Sequence, residues 1–152
     1  MIQKLRQRSR GESGFTLVEL LVVMLILGLL AAIAIPSFFS QRDKAKDSDA
    51  KSSVRTAQTA VETFGTENSS GTYTGVTNTR LIEIEPTLND APGTITVAAT
   101  DGGDGYTVSV PSTTGNVFTI ARSGATGSEG QVSYTCTDGG TAGCPTGGNW
   151  AE

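Results

Sequence analysis

GFTLVELLVVMLILGLLAAIAIP, residues 14–36, decides how the rest of the chain is read. From Phe15 to Ile35 it holds 21 residues, of which only Thr16 and Glu19 are clearly polar. A helix rises about 1.5 Å per residue, so this run covers roughly 30 Å, the thickness of a bilayer's hydrocarbon core. Pro36 closes the run. Inside a continuing helix it removes one backbone hydrogen bond and crowds the carbonyl of Ala32, which predicts a kink. Gly28 is a second weak point in the same helix.

Charge is segregated around this run. Residues 1–14 carry Lys4, Arg6, Arg8 and Arg10 against Glu12 alone. Residues 65–152 carry only Arg80 and Arg122 against Glu67, Glu83, Glu85, Asp90, Asp101, Asp104, Glu129, Asp138 and Glu152. Lys and Arg beside an apolar span stay on the cytoplasmic side, so the basic head is a topology signal. The acidic remainder argues against a broad nucleic-acid surface, which needs clustered Lys and Arg. The chain contains no histidine. That removes the commonest general base, the imidazole triads and the commonest metal ligand. No enzymatic activity and no cofactor are expected.

On the C-terminal side the helical pattern continues past the proline. Ser37–Phe64 contains no Gly or Pro, and Ala50, Val54, Ala57, Val61 and Phe64 recur at 4-3-4-3 spacing on one face. Asp47 and Lys51 stand in the favourable i,i+4 order and are read, with Asp43, as part of the solvated side. Gly65 is read as the helix stop. Beyond it the period changes. Residues 66–93 are polar, with a short apolar alternation at Leu81–Glu85 ended by Pro86. Four period-2 runs follow: Ile95/Val97, Tyr106/Val108/Val110, Phe118/Ile120 and Val132/Tyr134/Cys136. Gly-rich turns at Asp101–Gly105, Thr113–Asn116 and Ser123–Gly130 separate them. An α+β fold is expected, in which a long bent N-terminal helix, apolar then amphipathic, packs on an antiparallel meander of about four strands.

Gly14-Phe15-Thr16-Leu17-Val18-Glu19, with its basic leader and the later Gly28 and Pro36, resembles the processing signature of type IV pilins and type II secretion pseudopilins. The detailed match covers the first quarter to third of the chain. The resemblance implies four regions: a leader peptide at 1–14, a transmembrane and filament-core helix at 15–36, an amphipathic helix at 37–64 and a β-rich pilin domain at 65–152. It also implies cleavage between Gly14 and Phe15 by a prepilin peptidase, N-methylation of Phe15 by the same enzyme, and helix loosening between Gly28 and Pro36. A disulfide between Cys136 and Cys144 would match many type IV pilins and suits two close cysteines in an exported chain; two unrelated thiols are the plain alternative.

The position of Glu19 has its own chemistry. A carboxylate in hydrocarbon costs roughly 2.5–3.5 kcal/mol on insertion scales. Cutting after Gly14 would give Phe15 an α-ammonium one turn away, so a pair within one chain or with a neighbour is sterically possible. A buried charge is tolerable when paired and strongly destabilising when it is not. Glu19 and Phe15 are therefore the candidate assembly pair, setting register between apolar helices.

The expected role is a type IV pilus subunit for adhesion, motility or DNA uptake. The alternatives are a secretion pseudopilin and, from another class, a membrane-anchored extracellular binding domain that never polymerises. Expected partners are further copies of the chain, the peptidase/methyltransferase, an inner-membrane assembly platform and membrane lipid before assembly; DNA enters only for a competence filament. The precursor would be a single-pass cytoplasmic membrane protein with its C-terminal domain outside, and the assembled form an extracellular filament. Blander readings stay open. Phe15–Ile35 also fits an ordinary anchor, or a secretory signal cut near Ala32-Ile33-Ala34, although a usual signal core runs only about 7–15 apolar residues. Asp101–Gly105 offers two carboxylates for calcium but is more often a plain hairpin. Asn68-Ser69-Ser70 fits a short glycosylation sequon.

Overall fold

A computed structural model describes residues 14–151; the basic stretch with Lys4, Arg6, Arg8 and Arg10, and Glu152, lie outside the described residues. Helix α1 runs Leu17–Glu67 and contains Pro36. The chain divides into two compact units, one ending at Phe39 and one beginning at Ser40. In the first, every described residue is exposed.

The second unit is built on the amphipathic stretch of α1. Ala50, Val54, Ala57 and Val61 are wholly buried, as the 4-3 spacing requires, joined by Ala60, while Phe64 is only partly covered. The sheet is a four-stranded antiparallel meander in the order β1 (Thr96–Thr100), β2 (Gly105–Pro111), β3 (Val117–Arg122), β4 (Val132–Cys136). Its register aligns Val97 with Val108 and Ile120, and Val110 with Phe118 and Cys136. Period-2 alternation then sends these to one face, where Tyr106, Val108, Val110, Phe118 and Ile120 are buried in one core with the helix face. The opposite face carries Thr96, Ser109, Thr119 and Thr135 in one cross-strand row, with Ser109 and Thr119 hydroxyls 2.8 Å apart.

Three local expectations are corrected. Gly65 does not end the helix, which continues to Glu67. It is buried because a Cβ there would stand 2.6 Å from Tyr73 Cε1, so the glycine lets that ring close over the helix. The stretch at Leu81–Glu85, read only as a short apolar alternation, lies mostly in a helix. Asn78–Ile84 forms helix α2, with Thr77 as N-cap accepting from the Arg80 N–H, and Leu81 alone of its residues fully buried. A 3-10 turn at Pro86–Asp90 follows directly, the proline preset for its first position. Third, Asp47 is not on the solvated side: it is fully buried.

Candidate assembly site

The start of α1 is closed by its own side chains. Thr16 stands just before the first helical residue and Glu19 is the third inside. The Thr16 N–H and hydroxyl both donate to Glu19 Oε2 at 2.9 Å, and the Glu19 N–H donates back to Thr16 Oγ1 at 3.2 Å. This reciprocal capping box satisfies backbone donors that a helix otherwise leaves free, and it places the carboxylate at the positive end of the helix dipole. The Thr-x-x-Glu spacing ahead of an apolar run is the sequence signal for this box.

Gly14 and Phe15 precede this box and are exposed, Phe15 by 80%. Gly14 and Phe15 thus lie just outside the first turn of α1, which holds Glu19. Gly28 and Pro36 lie further along α1, and no packed atom stands within 4 Å of a Cβ placed on Gly28, so packing in this chain does not demand a glycine there. Seventeen large apolar side chains between Phe15 and Phe39 are more than a third exposed. The α1 window that meets membrane-span criteria has none of its residues buried. Each such side chain gains about 1.5–3 kcal/mol on leaving water, so this surface demands either lipid or other apolar helices around it.

The second unit contains a polar clamp that sequence reasoning did not find. The buried Asp47 carboxylate accepts from the Thr114 hydroxyl on Oδ1, and on Oδ2 from Asn116 Nδ2 at 2.7 Å and the Gly143 N–H at 2.8 Å. Lys51, one turn on, gives its ammonium to the Gly143 carbonyl at 2.7 Å and sits 5.3 Å above the Phe118 ring, instead of pairing with Asp47. Burial alone pushes the Asp47 carboxyl up, but hydrogen bonds from Ser112, Thr114, Asn116 and the Gly143 N–H outweigh it and hold the group below the ordinary carboxylate range. Gly143 permits the approach, since a Cβ there would meet Asp47 Cβ at 2.7 Å. The loop fastened in this way is the one closed by the Cys136–Cys144 disulfide. Trp150 completes the arrangement, edge-on to Phe118 and Tyr134, beneath the Arg55 guanidinium and bonded through Nε1 to the Thr135 carbonyl.

At the far end of the core, the Tyr73 and Tyr106 hydroxyls donate to Glu62 at 2.7 and 2.8 Å, and Arg122 donates to the Tyr73 oxygen at 2.9 Å. Burial, the bond to Glu62 and its negative charge push the Tyr73 hydroxyl up to about 12, with Arg122 opposing. The Asp101–Gly105 turn works as a hairpin connection in which Asp101 Oδ2 accepts from the Gly124 N–H. No metal-ligating cluster forms among the described residues. Asn68 of the sequon is engaged with Thr72 and Ser70.

Comparison with known proteins places these features. Residues 9–35 match the prokaryotic N-terminal methylation motif. The chain is 41% identical over 66 residues to the type IV major pilin protein PilA of Myxococcus xanthus, covering 43% of this chain and 29% of that protein. It is 41% identical over 59 residues to the type II secretion system core protein G of Pseudomonas aeruginosa, covering 39% and 42% of the two chains. A fimbrial protein of Pseudomonas aeruginosa is 35% identical over 119 residues, covering 76% of this chain and 77% of its own. No solved structure matches. Since the last of these similarities runs through most of both chains, well beyond the methylation motif, the chain belongs to the type IV pilin and pseudopilin family.

Proposed function

We propose that this chain is a filament subunit of the type IV pilus kind, made as a membrane-anchored precursor. In this reading a peptidase removes residues 1–14, methylates the new amine of Phe15, and an inner-membrane platform adds the subunit to a growing helical polymer of identical chains. The helix at 15–36 sits in lipid before assembly and in the filament core after it, the amphipathic stretch at 37–64 carries the β-rich domain at 65–152, and that domain faces the medium. Gly28 and Pro36 mark where α1 melts most easily during extraction, since one has low helix propensity and the other lacks a backbone donor.

The observation that carries this reading is a wholly exposed apolar helix interrupted by one carboxylate, Glu19. A second copy of the helix covers the apolar surface, and the Phe15 amine of a neighbour gives Glu19 a positive partner. Similarity extending over 76% of the chain to a fimbrial protein, against 39% to the core protein G, supports the pilus reading over the secretion one, as does the disulfide. Adhesion, motility and DNA uptake are the functions such a filament would serve, with DNA a partner only in the last.

N-terminal sequencing of the exported protein tests the proposal. A methylated Phe15 is expected. A retained Met1 would point to a static anchor for a binding domain, and Ile35 at the N-terminus to a plain signal peptide; either would overturn it. Glu19→Ala should then abolish filaments while leaving membrane insertion intact.

A further inference from the structure

Removing residues 1–14 leaves seven Lys and Arg against fourteen Asp and Glu, a net charge of −7. Copies of such a chain repel one another unless their contact faces pair opposite charges. Five of the seven cations fall between Arg42 and Arg55. Their engagements differ. Lys46 pairs with Asp43, Lys51 is bound to Gly143 and lies over Phe118, Arg55 covers Trp150, Arg80 pairs with Glu67 and Glu83, and Arg122 is held by Glu62 and Tyr73. Among the described residues only Arg42 and Lys44 have no hydrogen bond, ion pair or aromatic partner, and both are exposed.

Most exposed carboxylates are equally committed: Glu67 and Glu83 to Arg80, Glu85 to Thr87, Asp101 to Gly124 and Glu129 to Gly127. Asp49, Asp90, Asp104 and Asp138 are not. Of these four, Asp49 and Asp90 line one polar groove of about 400 Å³ between α1 and the Pro86–Asp90 turn, with Ser52, Ser53, Thr56 and Thr87 supplying hydroxyls. The chain's own free cations do not fill it. Arg42 lies seven residues before Asp49, about 10 Å along the helix, and Lys44 lies five before it, well round the helix from Asp49.

From this matching of unengaged groups we propose that the Asp49–Asp90 groove receives the Arg42–Lys44 segment of a neighbouring copy. The interface is heterologous, and combined with an axial offset between copies it propagates into an open fibre instead of closing into a ring. It rests on the filament reading above, which makes all copies of α1 parallel. A neighbour displaced by about two helical turns then brings its Arg42 level with Asp49. Exposed ion pairs add little raw affinity, but like charges placed opposite each other are costly. The contact therefore sets which axial offset between greasy helices is accepted.

The test uses full-length variants as the sole copy in producing cells, with sheared filament yield as the readout. Membrane-fraction abundance and a blocked Cys136–Cys144 thiol pair check folding. Arg42→Glu with Lys44→Glu should lower the yield on the order of tenfold or more, as should Asp49→Lys with Asp90→Lys. Combining all four substitutions should restore most of it. The inference is overturned if both doubles assemble like the parent, or if the fourfold exchange does no better than the worse double. It is also overturned if only the Arg42/Lys44 double fails, because those cations would then serve anionic lipid. A parent chain that forms no filament at all would sink the subunit reading first, and this interface with it.

Discussion

Replacing Asp47 with alanine should be among the most damaging single changes in the second unit. It removes the common acceptor of the Thr114 hydroxyl, Asn116 Nδ2 and the Gly143 N–H. Hydrogen bonds to a charged group are worth about 1.5–3 kcal/mol each, but the three losses do not add. Thr114 is half-buried and already reaches Ser112 Oγ at 3.1 Å, and Asn116 Nδ2 has a second acceptor in the Thr141 carbonyl at 3.3 Å. The Gly143 N–H has no such alternative, and the Ala side chain leaves space against it. A loss of about 3–5 kcal/mol follows, or about 10–20 °C in melting temperature for a domain of this size. Asp47→Asn should cost less, about 2–3 kcal/mol, because its one acceptor oxygen can keep the Asn116 and Gly143 donors while the amide nitrogen turns to the Thr114 hydroxyl, and the charge is lost from all three bonds. The single tryptophan, Trp150, packs on Phe118 and Tyr134, so its fluorescence during urea unfolding of the detergent-solubilised chain reports directly. The pH dependence has a definite sign. A carboxyl whose folded pKa lies below its unfolded value of about 3.9 contributes fully above that value and loses its contribution as pH falls through the folded pKa. The parent should therefore lose stability below about pH 4 more steeply than Asp47→Asn. If both variants unfold within about 1 kcal/mol of the parent, the buried clamp does not hold these loops and the reasoning is wrong.

Three further outcomes follow from the same geometry. Replacing Cys136 and Cys144 together by serine opens a loop of eight-residue separation, which by the chain-entropy model costs about 2.5 kcal/mol, measurable in the same urea experiment. Ultraviolet titration should find the Tyr73 hydroxyl ionising only near pH 12, and Glu62→Gln should bring it down towards the ordinary value; the stability it lends is complete below about pH 10 and disappears as pH rises through 12. Gly65→Ala drives a methyl group to 2.6 Å from a Tyr73 ring held by Glu62 and Arg122, and should destabilise by about 1–3 kcal/mol in thermal melts, where a free helix position would gain from the same change.

What was legible in the sequence was whatever depends on period. The 4-3 spacing of Ala50–Val61 and the alternation of Tyr106–Val110 and Phe118–Ile120 led directly to a helix face on a sheet face, because burial of one side is the only cause of either pattern. The disulfide was legible from two close cysteines together with the pairing that the family resemblance implies. Leu81–Glu85 misled because five residues are too few to separate periods of 2 and 3.6; Thr77 as an N-cap was the available cue. Asp47 was illegible. An aspartate four residues before a lysine on a polar stretch has every local mark of a solvated pair, and its burial is decided by Thr114, Asn116 and Gly143, which lie 67 to 96 residues away. At the helix start, Glu19 stood out as a charge in an apolar run, while the Thr16 that gives it a local role did not.

That Thr16–Glu19 box bears on how a lone subunit survives. Glu19 Oε2 already has two donors from the same chain, the Thr16 N–H and hydroxyl at 2.9 Å, so a solitary molecule is not left with a naked anion while it waits. On the filament reading, joining a polymer exchanges one set of donors on Glu19 for another, so the drive to assemble comes from covering the apolar side chains of α1 and not from relieving a stranded charge.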